Sequence, residues 1–444
     1  MRCSKTLLVG SGLLTMLLTL GRPAQAAPEG VACPDGLPAG TECRRGRDGN
    51  GAYYWIAVPK DWNGTLVVHS HGGPRLGAPK PDDPVEDLQR FAVTVSEGYA
   101  WAGSSYRRGG YGVRMAAEDT ENLRKLFVAE VAKPKRTFIH GQSWGGNVAA
   151  KAIELYPDSY DGALLTSGVL AGGTEGYGYR TDLRAVYQYY CHNHPGPDEP
   201  QYPLNIGLPA GQRMTGKELA ERVEACTGAG KPAAERSPEQ ARNLAAITAV
   251  TRVPERTLVS HMNWATFLYR DIVAERLGGR SPFGNEGVRY TGSADDAALN
   301  AGVARLQADP QAVAELAEDS DLTGKVTIPT LTLHAIDDPT AFVEHESHYR
   351  AVRGWTRSSH RSRRPSRRPA RATARPIRRP ASSIRPSTRR PMTAGSIRAT
   401  RRGRADGIRT PRIPGRAAAA RTPAGTAGDR LPPGGPGGRG PPRR

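Results

Sequence analysis

Between residues 53 and 166, short β-branched or aromatic runs alternate with helical patterns, and this alternation limits the chain to a parallel sheet with crossover helices. Residues 53–58 and 65–70 read as strands, and 87–97 as a helix. Residues 98–104 follow as a strand, and 118–132 carry Leu123, Leu126, Phe127 and Val131 at helical spacing. The pattern continues with a strand at 136–140, a helix at 144–156 stopped by Pro157, and a strand at 162–166. The predicted order is β-β-α-β-α-β-α-β.

Regularity ends at Ser167. The next stretch, about 168–322, is punctuated by Gly and Pro and holds helical patterns at 216–226, 238–250 and 294–306, so it reads as a helical cap inserted into the sheet. The sheet resumes at 327–334, and a helix follows over 342–352. Nothing beyond reads as strand.

Composition places the end of the domain. The 444 residues carry a formal net charge of +19, but residues 351–444 hold 26 Arg, no Lys and two acids (Asp406, Asp429), a net of +24, and residues 27–350 are acidic with a net of −8. The tail has one aromatic, Trp355, and too little apolar surface to offset chain entropy, so it is predicted to be a disordered Arg/Pro-rich segment. The expected domains are a signal at 1–26, a folded unit at 27–350 and this tail at 351–444.

The N-terminus supports export. Arg2 and Lys5 precede an apolar stretch at 6–20, then Gly21, Pro23 and Ala24-Gln25-Ala26, the order of a cleavable secretory signal. No later apolar run approaches the roughly 20 residues a bilayer needs, so no membrane association is expected after cleavage. Removing the signal takes Cys3 and leaves Cys33, Cys43, Cys191 and Cys226, an even number suited to an oxidising compartment. The favoured pairing of the three possible is Cys33 with Cys43 and Cys191 with Cys226, each pair bracketing a loop-rich stretch. Neither pair has zinc-knuckle spacing, so no metal is expected.

Gly141-Gln142-Ser143-Trp144-Gly145 fits G-x-S-x-G between a predicted strand and a predicted helix. A sharp strand-to-helix turn there exposes the Ser143 hydroxyl as a nucleophile, and flanking glycines let the backbone pass closely. The Trp144 N–H, at the helix N-terminus, is placed to donate to an oxyanion. Upstream, the strand at 65–70 runs into His71-Gly72-Gly73-Pro74, where the Gly73 N–H is assigned as the second oxyanion donor and Gly72 is the neighbour that could take the role. His71 is read as a loop-shaping residue.

With these motifs and a late strand ending in aspartate, the chain resembles the α/β-hydrolase superfamily over roughly residues 50–350. More narrowly it resembles secreted serine hydrolases of actinobacterial type, and the His-Gly-Gly-Pro stretch is similar to that of proline iminopeptidase-like members. The resemblance implies an α/β-hydrolase fold with a mostly parallel sheet and a helical cap, no cofactor, and a triad in the chain order Ser, acid, His. Matched to a family pattern like H-G-x-x-D-P, His334-Ala335-Ile336-Asp337-Asp338-Pro339 selects Asp338 as the acid, with Asp337 the runner-up.

The family pattern then demands a last strand, a histidine loop and a closing helix, and here the sequence departs from it. His345 and His348 lie on the helix just after Asp338, and His360 sits in an Arg/Ser/Pro run with no strand before it. His69, His140, His192, His194 and His261 read as strand, turn or cap residues. The last strand and helix are missing where the composition changes. Either the reading frame shifts near 352–357, since Lys, Asn, Phe and Tyr all vanish beyond Tyr349, or the chain ends in a genuine Arg/Pro tail able to bind phosphates.

The expected activity is a secreted serine hydrolase cleaving a small-molecule ester or a short peptide through an acyl-enzyme on Ser143, impaired by loss of the histidine. No specific nucleic-acid partner is expected, and oligomeric state is not legible. An aminopeptidase needs cap acids facing the substrate amine, and Asp182, Glu218 and Glu221 offer no decisive arrangement. The alternative is a non-catalytic hydrolase-fold binding protein whose basic tail holds polyanions.

Overall fold

In the computed structural model, residues 27–353 are described, and they contain one eight-stranded sheet. The strands are β1 (Glu29–Val31), β2 (Glu42–Arg47), β3 (Tyr53–Val58), β4 (Thr65–Ser70), β5 (Ala100–Ser104), β6 (Arg136–Gln142), β7 (Gly162–Thr166) and β8 (Thr330–Leu333). Their order is β1-β2-β3-β5-β4-β6-β7-β8. The first three joints are antiparallel, and the four from β5 to β8 are parallel. The mostly parallel α/β sheet expected from the sequence is present. The proposed signal and the Arg-rich tail with His360 lie outside the described residues.

Alternation along the strands decides what each face meets. Ile56, Leu66, Val68, Ala102, Ile139 and Leu165 pack against α3 (Val113–Glu130) and α4 (Trp144–Leu155) through Leu123, Phe127, Val148 and Ala152. On the other face, Trp55, Ala57 and Trp101 meet Leu88 of α1 (Asp83–Arg90) and Val95 of α2 (Ala92–Ser96). That second layer stops short. Beyond Phe91, a groove of about 910 Å³ runs over β4, β6, β7 and β8, lined by Val67, Phe138, His140, Leu164 and Leu331 among others. Leu331 and Leu333 are each 64% exposed, and Ile336 is 88% exposed. Among the described residues no strand follows β8.

Several elements differ from their predicted limits for local reasons. The helix predicted at 87–97 begins at Asp83, with Pro84 in its first turn, and breaks at Phe91 into α1 and α2. Helix α3 starts five residues before its predicted position because the Asp319 carboxylate accepts from the Val113 and Arg114 backbone N–H groups at 2.9 and 3.2 Å. The helix predicted at 294–306 is the shorter α9 (Asp296–Gly302). Strands β1 and β2 were not anticipated. β2 reads E-C-R-R-G-R, and only Cys43 turns inward, against Trp55 and Trp101.

Residues 167–329 are mainly helical. They include α5 (Thr174–Cys191), α6 (Gly216–Thr227), α7 (Pro238–Thr251), α8 (Leu258–Asn263) with π-helical turns at Trp264–Leu268 and Asp271–Arg276, and α10 (Pro310–Ser320). A second core of Leu183, Val186, Tyr187, Leu219, Val223, Ile247, Leu258 and Met262 holds them together. Disulfides join Cys33 to Cys43 and Cys191 to Cys226, the pairing expected. The end of α10 ties this layer to the sheet helices: Asn147 and Lys151 of α4 donate to carbonyls of Ser320, Glu318 and Asp321, while Asp321 accepts from the Gly173 and Thr174 N–H groups at the start of α5.

Candidate active site

The turn between β6 and α4 is built by three glycines. Ser143 has φ 56° and ψ −124°, a left-handed backbone that an L-residue adopts only where its surroundings hold it. A Cβ on Gly141 would lie 2.0 Å from the Gly145 carbonyl oxygen, and a Cβ on Gly145 2.1 Å from the Ser70 carbonyl oxygen. On Gly146 it would lie 2.7 Å from Gly168 Cα. Strand, turn and helix therefore close on one another at distances only glycine allows.

Backbone bonds lock the turn. The Ser143 N–H donates to Thr166 O at 3.0 Å, and its carbonyl accepts from Gly146 N at 3.0 Å and Val169 N at 2.9 Å. Ser143 is half-buried at the carboxyl end of the sheet, and α4 begins at Trp144, so the first N–H groups of the helix point toward it without intrahelical partners. Trp144 itself is buried against Tyr106, Tyr111 and His71 at ring distances of 5.8, 6.0 and 6.2 Å.

The His71-Gly72-Gly73-Pro74 loop abuts this turn. A Cβ on Gly72 would sit 3.0 Å from Gln142 O and 3.6 Å from Ser143 Cβ, and Gly73 has φ +76° with open space where its side chain would be. His71 is buried in this loop. Its ring stacks on Tyr106 at 5.2 Å, and burial pulls its pKa down to about 4, with the nearby Asp87 carboxylate opposing.

Asp87 was not anticipated. It is buried on α1, with one oxygen 3.6 Å from His69 Nε2 and 3.8 Å from His71 Nδ1, and His69 Nδ1 meets His140 Nδ1 at 3.0 Å. Burial works to raise its pKa, but the neighbouring His69, His71 and Arg75 outweigh it, so the carboxyl stays below the ordinary value. A lone aspartate in an amphipathic helix gives no sequence signal of such a role.

On the far side of the sheet edge, β8 ends in the turn that carries both candidate acids. Asp337 is exposed, whereas Asp338 is partly buried and its Oδ1 accepts from Thr340 N at 2.9 Å and Ala341 N at 3.0 Å. That leaves Oδ2 of Asp338 as the oxygen for any further donor.

Among the described residues no histidine is hydrogen-bonded to the Ser143 hydroxyl or to the Asp338 carboxyl. His345 is buried on α11 (Glu344–Val352), where its Nδ1 accepts from Ala171 N at 3.1 Å. His261 Nε2 donates to Pro339 O at 2.9 Å and its Nδ1 is bonded to Tyr179 Oη at 3.0 Å. His334 is bonded to Ala341 O and Glu346. The cap acids are also engaged: Asp182 accepts from Tyr290 Oη, Glu218 closes a capping box with Thr215, and Glu221 pairs with Lys217. No group of three or more His, Cys, Asp or Glu among the described residues is placed to hold a metal.

No protein-family model matches the chain, and no curated protein matches its sequence. Among solved structures it is similar to puromycin hydrolase, at 22% identity over 34% of this chain and 23% of that one with a TM-score of 0.24. It is also similar to an arylesterase, at 21% identity over 31% and 47% with a TM-score of 0.25, and to a Pyrobaculum calidifontis esterase, at 18% identity over 31% and 47% with a TM-score of 0.25. The chain spans less than half the length of each of these structures.

Proposed function

We propose that the chain is an exported serine hydrolase that cleaves a small ester or short peptide bond through an acyl-enzyme on Ser143. The observation that carries this reading is the φ 56° Ser143, held half-exposed by Gly141, Gly145 and Gly146 at the N-terminus of α4. Nothing in the packing of the sheet alone calls for a serine in that conformation; a reactive hydroxyl does.

In the proposed reaction Ser143 Oγ adds to the substrate carbonyl, and the Trp144 and Gly73 N–H groups take the charge that develops on its oxygen. Asp338 Oδ2 orients a histidine, which removes the Ser143 proton and returns it to the leaving group. That histidine belongs to the segment after residue 350, outside the described residues, and the shifted-frame reading says this chain has lost it. Water then releases the acyl group. Residues 168–322 act as a cap that shapes the acyl or leaving-group pocket.

A burst experiment tests this. Excess p-nitrophenyl acetate, added to the chain with its residues after 350 replaced by the alternative-frame translation, releases close to one equivalent of p-nitrophenol before steady turnover. Absence of the burst in a folded sample, or its persistence in Ser143→Ala, overturns the reading.

One observation favours a second reading, a non-catalytic protein that holds polyanions through its 26 tail arginines: no described histidine bonds Ser143 or Asp338. It predicts steeply salt-dependent binding to heparin that disappears when residues after 350 are deleted.

A further inference from the structure

Helix α5 buries two arginines one turn apart. Arg184 is 0% exposed and spends its Nη groups on Thr266 Oγ1 at 2.8 Å and the His194 carbonyl at 3.3 Å. Its Nε has no partner. Arg180, 2% exposed, is held by fewer bonds: its Nη1 donates to Gly176 O at 3.2 Å, and its Nε likewise has no partner. Among the described residues no carboxylate lies within ion-pair distance of it.

Taking a guanidinium out of water costs several kcal/mol unless a counter-charge and hydrogen bonds replace the lost hydration. Here the faces of the group are covered instead. The rings of Tyr177, Tyr179 and Trp264 lie 4.9, 4.5 and 4.6 Å from its central carbon. Cation–π contact offsets part of the desolvation and leaves Nε unanswered. Trp264 stands where α8 passes into its first π-helical turn, a distortion frequent at functional sites.

The position links Arg180 to both ends of the proposed catalytic group. Tyr177 packs edge-on against Tyr111 at 5.3 Å, and Tyr111 packs on Trp144, the neighbour of Ser143. On the other side Tyr179 is bonded to His261, which donates to the carbonyl of Pro339, next to Asp338. We propose that Arg180 binds a carboxylate on the substrate, so that the preferred ester or peptide carries a free carboxyl group in addition to the bond that Ser143 attacks.

Carboxylate fits better than phosphate. A planar fork of two oxygens meets the in-plane donors of a guanidinium whose faces are occupied. A single guanidinium balances one negative charge, Arg184 is already engaged, and His261 and His345 beside Arg180 carry no positive charge of their own near neutral pH.

The proposal rests on the serine-hydrolase reading for the bond attacked, but its binding step is measured separately. Calorimetric titration of the full chain carrying Ser143→Ala uses monomethyl glutarate, with one carboxylate and one ester, and its neutral counterpart dimethyl glutarate. The expected result is at least tenfold tighter binding of the monoacid, with the preference lost in Arg180→Gln and partly kept in Arg180→Lys. Equal affinity for acid and diester overturns the proposal without recourse to any Arg180 variant. An unchanged preference in folded Arg180→Gln also overturns it, because the Arg-rich tail is then the binder. Acid preference without the p-nitrophenol burst keeps the carboxylate site and removes the hydrolase; the burst without acid preference does the reverse.

Discussion

Replacing Gly145 by alanine asks whether the turn around Ser143 is as tight as its geometry states. The added Cβ would meet Ser70 O at 2.1 Å, His71 O at 2.6 Å and His71 C at 2.8 Å, all backbone atoms of β4 and the loop after it. None can swing aside as a side chain would. Overpacking a core costs about 1–3 kcal/mol when side chains can yield. Against backbone held by the β4–β6 ladder, the upper end, about 3 kcal/mol, is the minimum expected. For a domain of this size that lowers the melting temperature by at least about 4 °C. Gly178→Ala is the internal control: it lies in α5 with nothing within 4 Å of the added methyl, so removing a helical glycine gains about 1 kcal/mol and raises the melting temperature. Thermal unfolding followed by far-ultraviolet circular dichroism reads both. A Gly145→Ala midpoint within about 2 °C of the parent refutes the packing argument, since no rearrangement that small clears a carbonyl oxygen at 2.1 Å.

Acid weakens the fold in a defined window. Burial holds His71 and His345 at pKa values of about 4 and His140 and His261 at about 3, all below the ordinary 6.5. The unfolded chain therefore takes up these protons first, so their contribution is complete above pH 6.5 and lost as the pH falls toward 4, at about 1.4 kcal/mol per group per pH unit. Asp119, raised to about 6 by burial, returns a smaller part. Unfolding free energies from urea curves at pH 7.5 and 5.5 check this, with a drop of several kcal/mol expected and equal values contradicting it. Opening the disulfides separates by loop length: the 35-residue separation of Cys191–Cys226 predicts a loss of about 4 kcal/mol on Cys→Ser replacement, and the 10-residue separation of Cys33–Cys43 about 3 kcal/mol, measured by denaturant unfolding. Leu331→Lys, on the exposed face of edge strand β8, is expected to reduce self-association in light scattering while leaving the melting temperature unchanged; equal scattering removes β8 as a source of association.

The parallel half of the sheet was legible because each of its strands is a short apolar run closed by a helix-forming segment, and Ile139 or Leu165 has no alternative to burial. β2 was not, since a strand of four charged residues, one glycine and one inward cysteine carries no alternation. Helix α5 was hidden for a related reason: its Gly176, Gly178 and tyrosines lower local helix propensity, and its start is fixed by Asp321, 147 residues away. Ser143 was legible because the turn it occupies demands glycines at fixed offsets. Asp87 and Arg180 were not, because what distinguishes them is which residues surround them once folded. The tail carries the strongest compositional signal in the chain, and it lies outside the described residues.

The most direct test of the account is the rate at which a fluorophosphonate labels Ser143, mapped by peptide mass spectrometry in two chains. One is this sequence, and the other has the residues after 350 replaced by the alternative-frame translation. A single adduct on Ser143 is predicted in the replaced chain, and labelling slower by on the order of a millionfold in the present one, where a nucleophile and oxyanion donors remain without a base. A folded replaced chain with no adduct on Ser143 contradicts the nucleophile assignment. Equal rates in both chains contradict the loss of the histidine and place the base among residues 27–350, which the two chains share.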